Sequence, residues 1–170
     1  MNNLNDGMVW GILPLLLAGK AFSIEQIGLI VALYPAVWGL GQMVTGKMAD
    51  HFSIKAMLFL GMFLQGIVLI LFAFTDNYLV FIGLSILLGV GTAVVYPTFL
   101  AAIAGFTHPK QRAESIGIFR LWRDLGYAIG ALLTGIIADM IGISFSILVI
   151  GALTIMSSMV NAESTQKDTS

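Results

Sequence analysis

The chain has 170 residues, of which 58% are hydrophobic and 10% charged, with a net charge of −1 and no cysteine; its mean hydropathy is +0.96. Soluble domains carry about 25% charged residues, so this chain has too few charges to cover a water-facing surface, and lipid becomes the solvent for most side chains. The near-neutral charge offers no footprint for nucleic acid, the missing cysteines exclude disulfides and thiolate chemistry, and no nucleotide-binding loop is present.

A spanning helix needs about 20 mostly apolar residues. In chain order, Met8 to Ala18 is apolar but short, and Ile27 to Met48 and Ala56 to Phe74 each span. Tyr78 to Phe106 spans with room to spare, Glu114 to Ile141 is long with polar residues in its first half, and Ile143 to Val160 just spans. Short polar breaks separate them, around Lys20, His51, Asp76 and His108, with a minimal turn near Gly142. Lipid cannot satisfy bare backbone groups, and these runs are too long for barrel strands, so they are helices. The expected fold class is an all-α membrane protein of six transmembrane helices, with a bundle over 1–160 and a polar tail over 161–170. His51 and His108 read as solvated loop residues, so no metal site is expected.

Orientation follows from lysine and arginine. Lys47, Lys55, Lys110, Arg112, Arg120, Arg123 and Lys167 fall on one side if the segments alternate, and Lys20 falls on the other. The second and fourth breaks and the C-terminus are therefore expected in the cytoplasm, with the bundle in the plasma or inner membrane.

The chain also repeats itself. Residues 25–50 set against 114–139, an offset of 89, share eight identities without a gap, with the core G-x-x-x-T-G-x-x-A-D. The offset divides the bundle into two three-helix repeats, about 1–76 and 77–160. An odd number of helices inverts the second copy, as in secondary transporters. The first helix then corresponds to Tyr78–Phe106. Met8 to Ala18 would cover roughly 16 Å of a core about 30 Å thick, so the first helix is expected to lack about a dozen residues, and Met1 to lie inside a longer reading frame.

Two constellations stand out. Asn2–Asn3–Leu4–Asn5–Asp6–Gly7 reads either as a polar tail with helix caps or as a site near the bilayer midplane, where a carboxylate must face a cavity or a partner. Arg120, Arg123, Asp124 and Tyr127 share one face of the fifth helix. Arg120 and Asp124, four apart, can pair, either as a structural ion pair or as a charge network along a water-filled path. Gly83, Gly89 and Gly91, with Gly126-x-x-x-Gly130 and Ala131-x-x-x-Gly135, would allow helices to approach closely.

The stretch Gly46–Lys47–Met48–Ala49–Asp50–His51–Phe52–Ser53–Ile54–Lys55 resembles the loop signature G-x-x-x-D-x-x-G-R-K of the major facilitator superfamily, matching at Gly46, Asp50 and Lys55. Arg112 through Asp139, and N-N-L-N-D-G followed by P-L-L-L, are similar to the fifth and first helices of the C-terminal half of such proteins. The resemblance implies half of a twelve-helix transporter, with Asn5, Asp6, Trp10 and Tyr96 lining a central cavity and the Asp50 loop acting as a cytoplasmic latch. It implies a small solute as cargo, coupling to protons through Asp6 or Asp124, membrane lipids and an absent N-terminal half as partners, and no cofactor. The rival readings are a six-helix channel or scaffold and a membrane-embedded enzyme, for which no G-x-S-x-G or paired-histidine motif is present.

Overall fold

The computed structural model describes residues 2–48 and 52–163. Six helices follow one another: α1 Asn2–Gly19, α2 Ile24–Met48, α3 Ile54–Phe74, α4 Tyr78–Phe106, α5 Arg112–Ile141 and α6 Ile143–Glu163, with a 3-10 turn at Pro109–Gln111 before α5. No strand occurs among the described residues. Helices α2 to α6 are long and apolar enough to cross a membrane, whereas the apolar part of α1 is the shorter stretch Asp6–Gly19.

Helices α2, α3 and α5 start two or three residues earlier than the sequence reading, and two boundaries differ by more or by kind. The polar stretch from Asn2 to Gly7 is helical and belongs to α1, and α6 continues to Glu163, into the segment read as tail. Helical hydrogen bonds are local, so a helix continues past its apolar stretch until a breaker stops it.

The connections show why the helices start and stop where they do. At the head of α2, the Gln26 amide donates to Ser23 Oγ at 3.3 Å and the Ser23 amide to Gln26 Oε1 at 3.0 Å. This reciprocal capping box satisfies two amides that the helix leaves unpaired. Asn77 Oδ1 caps α4, accepting from the amides of Leu79 and Val80. The single-residue turn between α5 and α6 requires Gly142, whose φ of +97° disfavours any side chain. Lys20 and Asp76 form an ion pair that joins the α1–α2 and α3–α4 connections at one end of the bundle. His108 is exposed, as expected of a loop residue.

Packing sorts the helices into two groups. Helix α1 lies against α5 and α6, while α4 lies against α2 and α3. The groups meet chiefly where α3 crosses α6, with lighter contact between α1 and α2 and between α4 and α5. At that crossing, a Cβ on Gly66 would lie 3.0 Å from the Gly151 carbonyl oxygen, and one on Gly151 would lie 3.2 Å from that of Gly66. Bare backbones therefore touch at this point. Around it, Leu13 and Leu17 of α1, Leu69 and Phe72 of α3, Phe81 of α4 and Ile147 of α6 form the fully buried core.

Pro97 shapes the α2–α4 contact. Proline has no amide hydrogen and leaves the carbonyl four residues earlier without its helical donor. That carbonyl belongs to Ala93, and the Thr45 hydroxyl of α2 donates to it at 2.6 Å. Beside it, a Cβ on Gly41 would meet Ala93 Cβ at 2.7 Å.

Candidate functional site

A cluster of charged and aromatic side chains lies where α1, α2, α4 and α5 meet. Asp6 is buried and accepts a hydrogen bond from the Tyr34 hydroxyl of α2. The Tyr34 oxygen lies 3.4 Å from Thr92 Oγ1 of α4. Tyr127 also reaches the Asp6 carboxylate, and Arg123 acts on it through space. Gly7 makes this approach possible: a Cβ there would lie 2.2 Å from the Tyr127 carbonyl oxygen, so α1 rests directly on the backbone of α5.

Arg123 holds the second half of the region. Its Nη1 donates to the Tyr96 hydroxyl at 2.8 Å, and its Nε donates to Asp124 Oδ1 at 2.8 Å. The guanidinium lies over two rings, 5.5 Å from the centre of Tyr96 and 5.8 Å from that of Tyr127. Such stacking is stronger where water is scarce. Arg123 is mostly shielded, with 19% of its side chain exposed against 60% for Asp124, so the pair offers its carboxylate outward.

An aromatic row joins the two halves. Tyr34 stacks on Trp38 with ring centres 6.3 Å apart, and the Trp38 edge meets Tyr96 at 6.0 Å. Trp10, 48% exposed, packs edge-on to Tyr34 at 6.1 Å. Two open grooves lie away from this region. One of about 500 Å³ sits where the end of α1 meets the Gly142 turn, and one of about 450 Å³ lies between Phe52, Leu60 and Val94.

Of the residues singled out in the sequence, Asp6, Trp10, Tyr96, Arg123, Asp124 and Tyr127 are brought together. Asn5 lies on α1, with its side chain outside the described set. Arg120 is exposed, and among the described residues Asp124 is bound by Arg123 instead. The long arginine side chain reaches its own neighbour, and that contact displaces the expected pairing across one turn. Asp50 lies outside the described residues, while Gly46 and Lys55 are exposed at the ends of α2 and α3. Gly89 and Gly91 meet neighbours at 2.7 Å and 2.8 Å, but Gly83 and Gly135 face open space.

Tyr34, Trp38 and Thr92 are the site residues that sequence reasoning missed. A signal for two of them was present. The offset of 89 sets Tyr34 against Arg123 and Trp38 against Tyr127, so the charged face of α5 pointed to its counterpart on α2.

Five helices long and apolar enough to cross a membrane and one shorter apolar helix, among the described residues, define an integral membrane protein of helical-bundle type. The family model of the major facilitator superfamily matches residues 1–162, and the chain belongs to that superfamily. It is similar to an uncharacterised MFS-type transporter of Methanocaldococcus jannaschii, 31% identical over 80% of this chain and 35% of the relative. A probable sulfoacetate transporter of Cupriavidus necator is 25% identical over 84% of this chain and 33% of its own length. A quinolone resistance protein of Staphylococcus aureus is 25% identical over 80% and 35%. The chain thus spans about a third of the length of these curated relatives.

Proposed function

We propose that this chain is one six-helix bundle of a secondary active transporter that moves a small solute by alternating access, against a second, N-terminal bundle seated on its polar face. The observation that carries the reading is the set Asp6, Arg123 and Asp124 gathered among apolar helices, with Arg123 and Asp124 well inside the spanning helix α5. Charge at that depth is costly unless it pairs or faces water, and Asp124 and Trp10 are left facing outward. The relatives' names, sulfoacetate transporter and quinolone resistance protein, support a small organic solute. Their greater length, of which the matched part is about a third, supports a partner bundle. Proton coupling runs through Asp6 or Asp124, and the Asp50 loop, with Gly46 and Lys55, works as the cytoplasmic latch.

Two inverted repeats, about 1–76 and 77–160, underlie this bundle. The pairing of α1 with α5 and of α4 with α2 supports them, because the offset of 89 exchanges the two pairs. It also exchanges the contact of Gly7 with Tyr127 for that of Tyr96 with Trp38. Within the shared G-x-x-x-T-G core, Thr45 donates to the Gly41 carbonyl and Thr134 to that of Gly130.

The test is transport by the chain reconstituted in liposomes with its complementary bundle, with sulfoacetate and a quinolone as probes. Saturable uptake with counterflow is expected, and none from this chain alone. Asp6→Asn and Asp124→Asn should abolish coupled uptake while leaving the amount of folded protein unchanged. A current that rises without saturation would instead identify a channel, and loss of folded protein in Asp124→Asn would identify a structural ion pair.

A further inference from the structure

Asp6 and Arg123 lie on one group of helices, and each is held by a tyrosine of the other group, beside Tyr127 of their own. Asp6 and Arg123 belong to α1 and α5, in the group completed by α6; Tyr34 and Tyr96 belong to α2 and α4, in the group completed by α3. Each hydrogen bond therefore crosses the seam between the groups at α1–α2 or α4–α5, where fewer residues meet than at the α3–α6 crossing. The two links also occupy matching places. The offset of 89 sets Tyr34 on Arg123, and Asp6 on Val95, the neighbour of Tyr96. Tyr34 lies ten residues from the start of α2, and Tyr96 ten residues from the end of α4. At 1.5 Å per residue each link is about 15 Å in from its own, opposite, end of the bundle. Trp38 packs between the two tyrosines.

We propose that Tyr34 and Tyr96 are positioning residues that hold Asp6 and Arg123 across this seam, one link governing the seam toward each end of the bundle, with the α3–α6 glycine crossing as the fixed contact between them. The inference rests on the repeat reading above, because it assigns the two links equivalent roles. Physically, a hydroxyl–carboxylate or guanidinium–hydroxyl bond in a low-dielectric surround is strong when made, and fewer residues join α1 to α2 or α4 to α5 than join α3 to α6. The links thus decide how closely the groups approach. At the glycine crossing the backbones touch, and the side chains that close on it are the isoleucines Ile70 and Ile155, which have no hydrogen bond to exchange.

The test is made on the chain itself in lipid nanodiscs and needs no transport assay, so failure of the transport reading leaves it standing. The chain has no cysteine, so spin labels can be placed without removing native thiols. Labels at Leu79 and Met140 report the seam at one end, labels at Val44 and Ile118 report it at the other, and Leu40 with Leu60 serves as a control within one group; all six residues are exposed. Tyr34→Phe is expected to widen the Leu79–Met140 distances and Tyr96→Phe the Val44–Ile118 distances. Each should shift the ratio of narrow to wide populations about threefold, the effect of one interhelical hydrogen bond. Asp6→Leu should reproduce Tyr34→Phe, the double variant should add nothing, and Asp6→Asn, which keeps an acceptor, should stay close to the parent. Unchanged seam distances in Tyr34→Phe and Tyr96→Phe would overturn the proposal. So would equal broadening of the control pair, which marks general loosening, or an Asp6→Asn seam as wide as that of Asp6→Leu.

Discussion

Glycine shows most directly how one residue type takes different meanings in this bundle. Gly7 lies against the Tyr127 carbonyl, where an added Cβ would sit at 2.2 Å, while Gly83 and Gly135 have nothing within 4 Å. Gly7→Ala must push α1 off α5 and is expected to cost about 1–3 kcal/mol, the usual range for overpacking. Gly83→Ala and Gly135→Ala relieve only the helix penalty of glycine and should stabilise by about 0.5–1 kcal/mol. Thermal unfolding in detergent measures all three; similar shifts for Gly7→Ala and Gly83→Ala would contradict this assignment. The small-residue spacing in the sequence picked out Gly83 and Gly135 as readily as Gly89 and Gly91. Spacing reports which residues share a face of a helix, and only the partner helix decides whether that face is crowded.

At the scale of an element, the prolines and turns were legible, but their consequences were not. Pro97 sits inside an apolar run, and the sequence announces a carbonyl without its helical donor. That the donor is Thr45, on a helix 48 residues away in the chain, follows only from packing. Thr45→Val removes this bond and keeps the side-chain shape. It should cost about 0.6 kcal/mol and at most about 1.7, the measured range for hydrogen bonds between membrane helices, read as a lower melting temperature. Gly142→Ala acts on the backbone alone. With φ at +97°, it should cost about 1–3 kcal/mol, and the same melting measurement would show no shift if the turn relaxes freely. The boundaries that moved did so at polar ends. The stretch from Asn2 to Gly7 carries little apolar signal, yet it is helical, and at Gly7 it rests on the backbone of α5.

For the whole molecule, hydropathy marked six segments, and the described residues form six α-helices at those places. Apolar length is a local property, and in lipid it leaves one outcome for the backbone. The distribution of lysine and arginine further predicts that a cysteine replacing His108 is labelled only from the cytoplasmic side and one replacing Thr75 only from the outside, in right-side-out and inverted vesicles. The reverse pattern would invert the orientation. The Lys20–Asp76 pair joins two connections at the predicted outer end. Asp76 is 83% exposed, so the pair should contribute at most about 1 kcal/mol and less in high salt. Lys20→Met unfolding curves at low and high salt check this.

Composition, apolar run length and the internal match at 89 residues determined by themselves that this chain is a helical membrane bundle, and they singled out most of the charged groups in its polar region. These features are written in single segments, where hydrophobicity and helical geometry act on neighbours in the chain. The tertiary structure alone decided that Tyr34 and Thr92 meet Asp6, that Asp124 pairs with Arg123 rather than Arg120, and that Tyr96 holds the guanidinium. Those contacts depend on how α1, α2, α4 and α5 are rotated and stacked. That arrangement is set jointly by close glycine contacts and buried hydrogen bonds on different helices, which no single segment records.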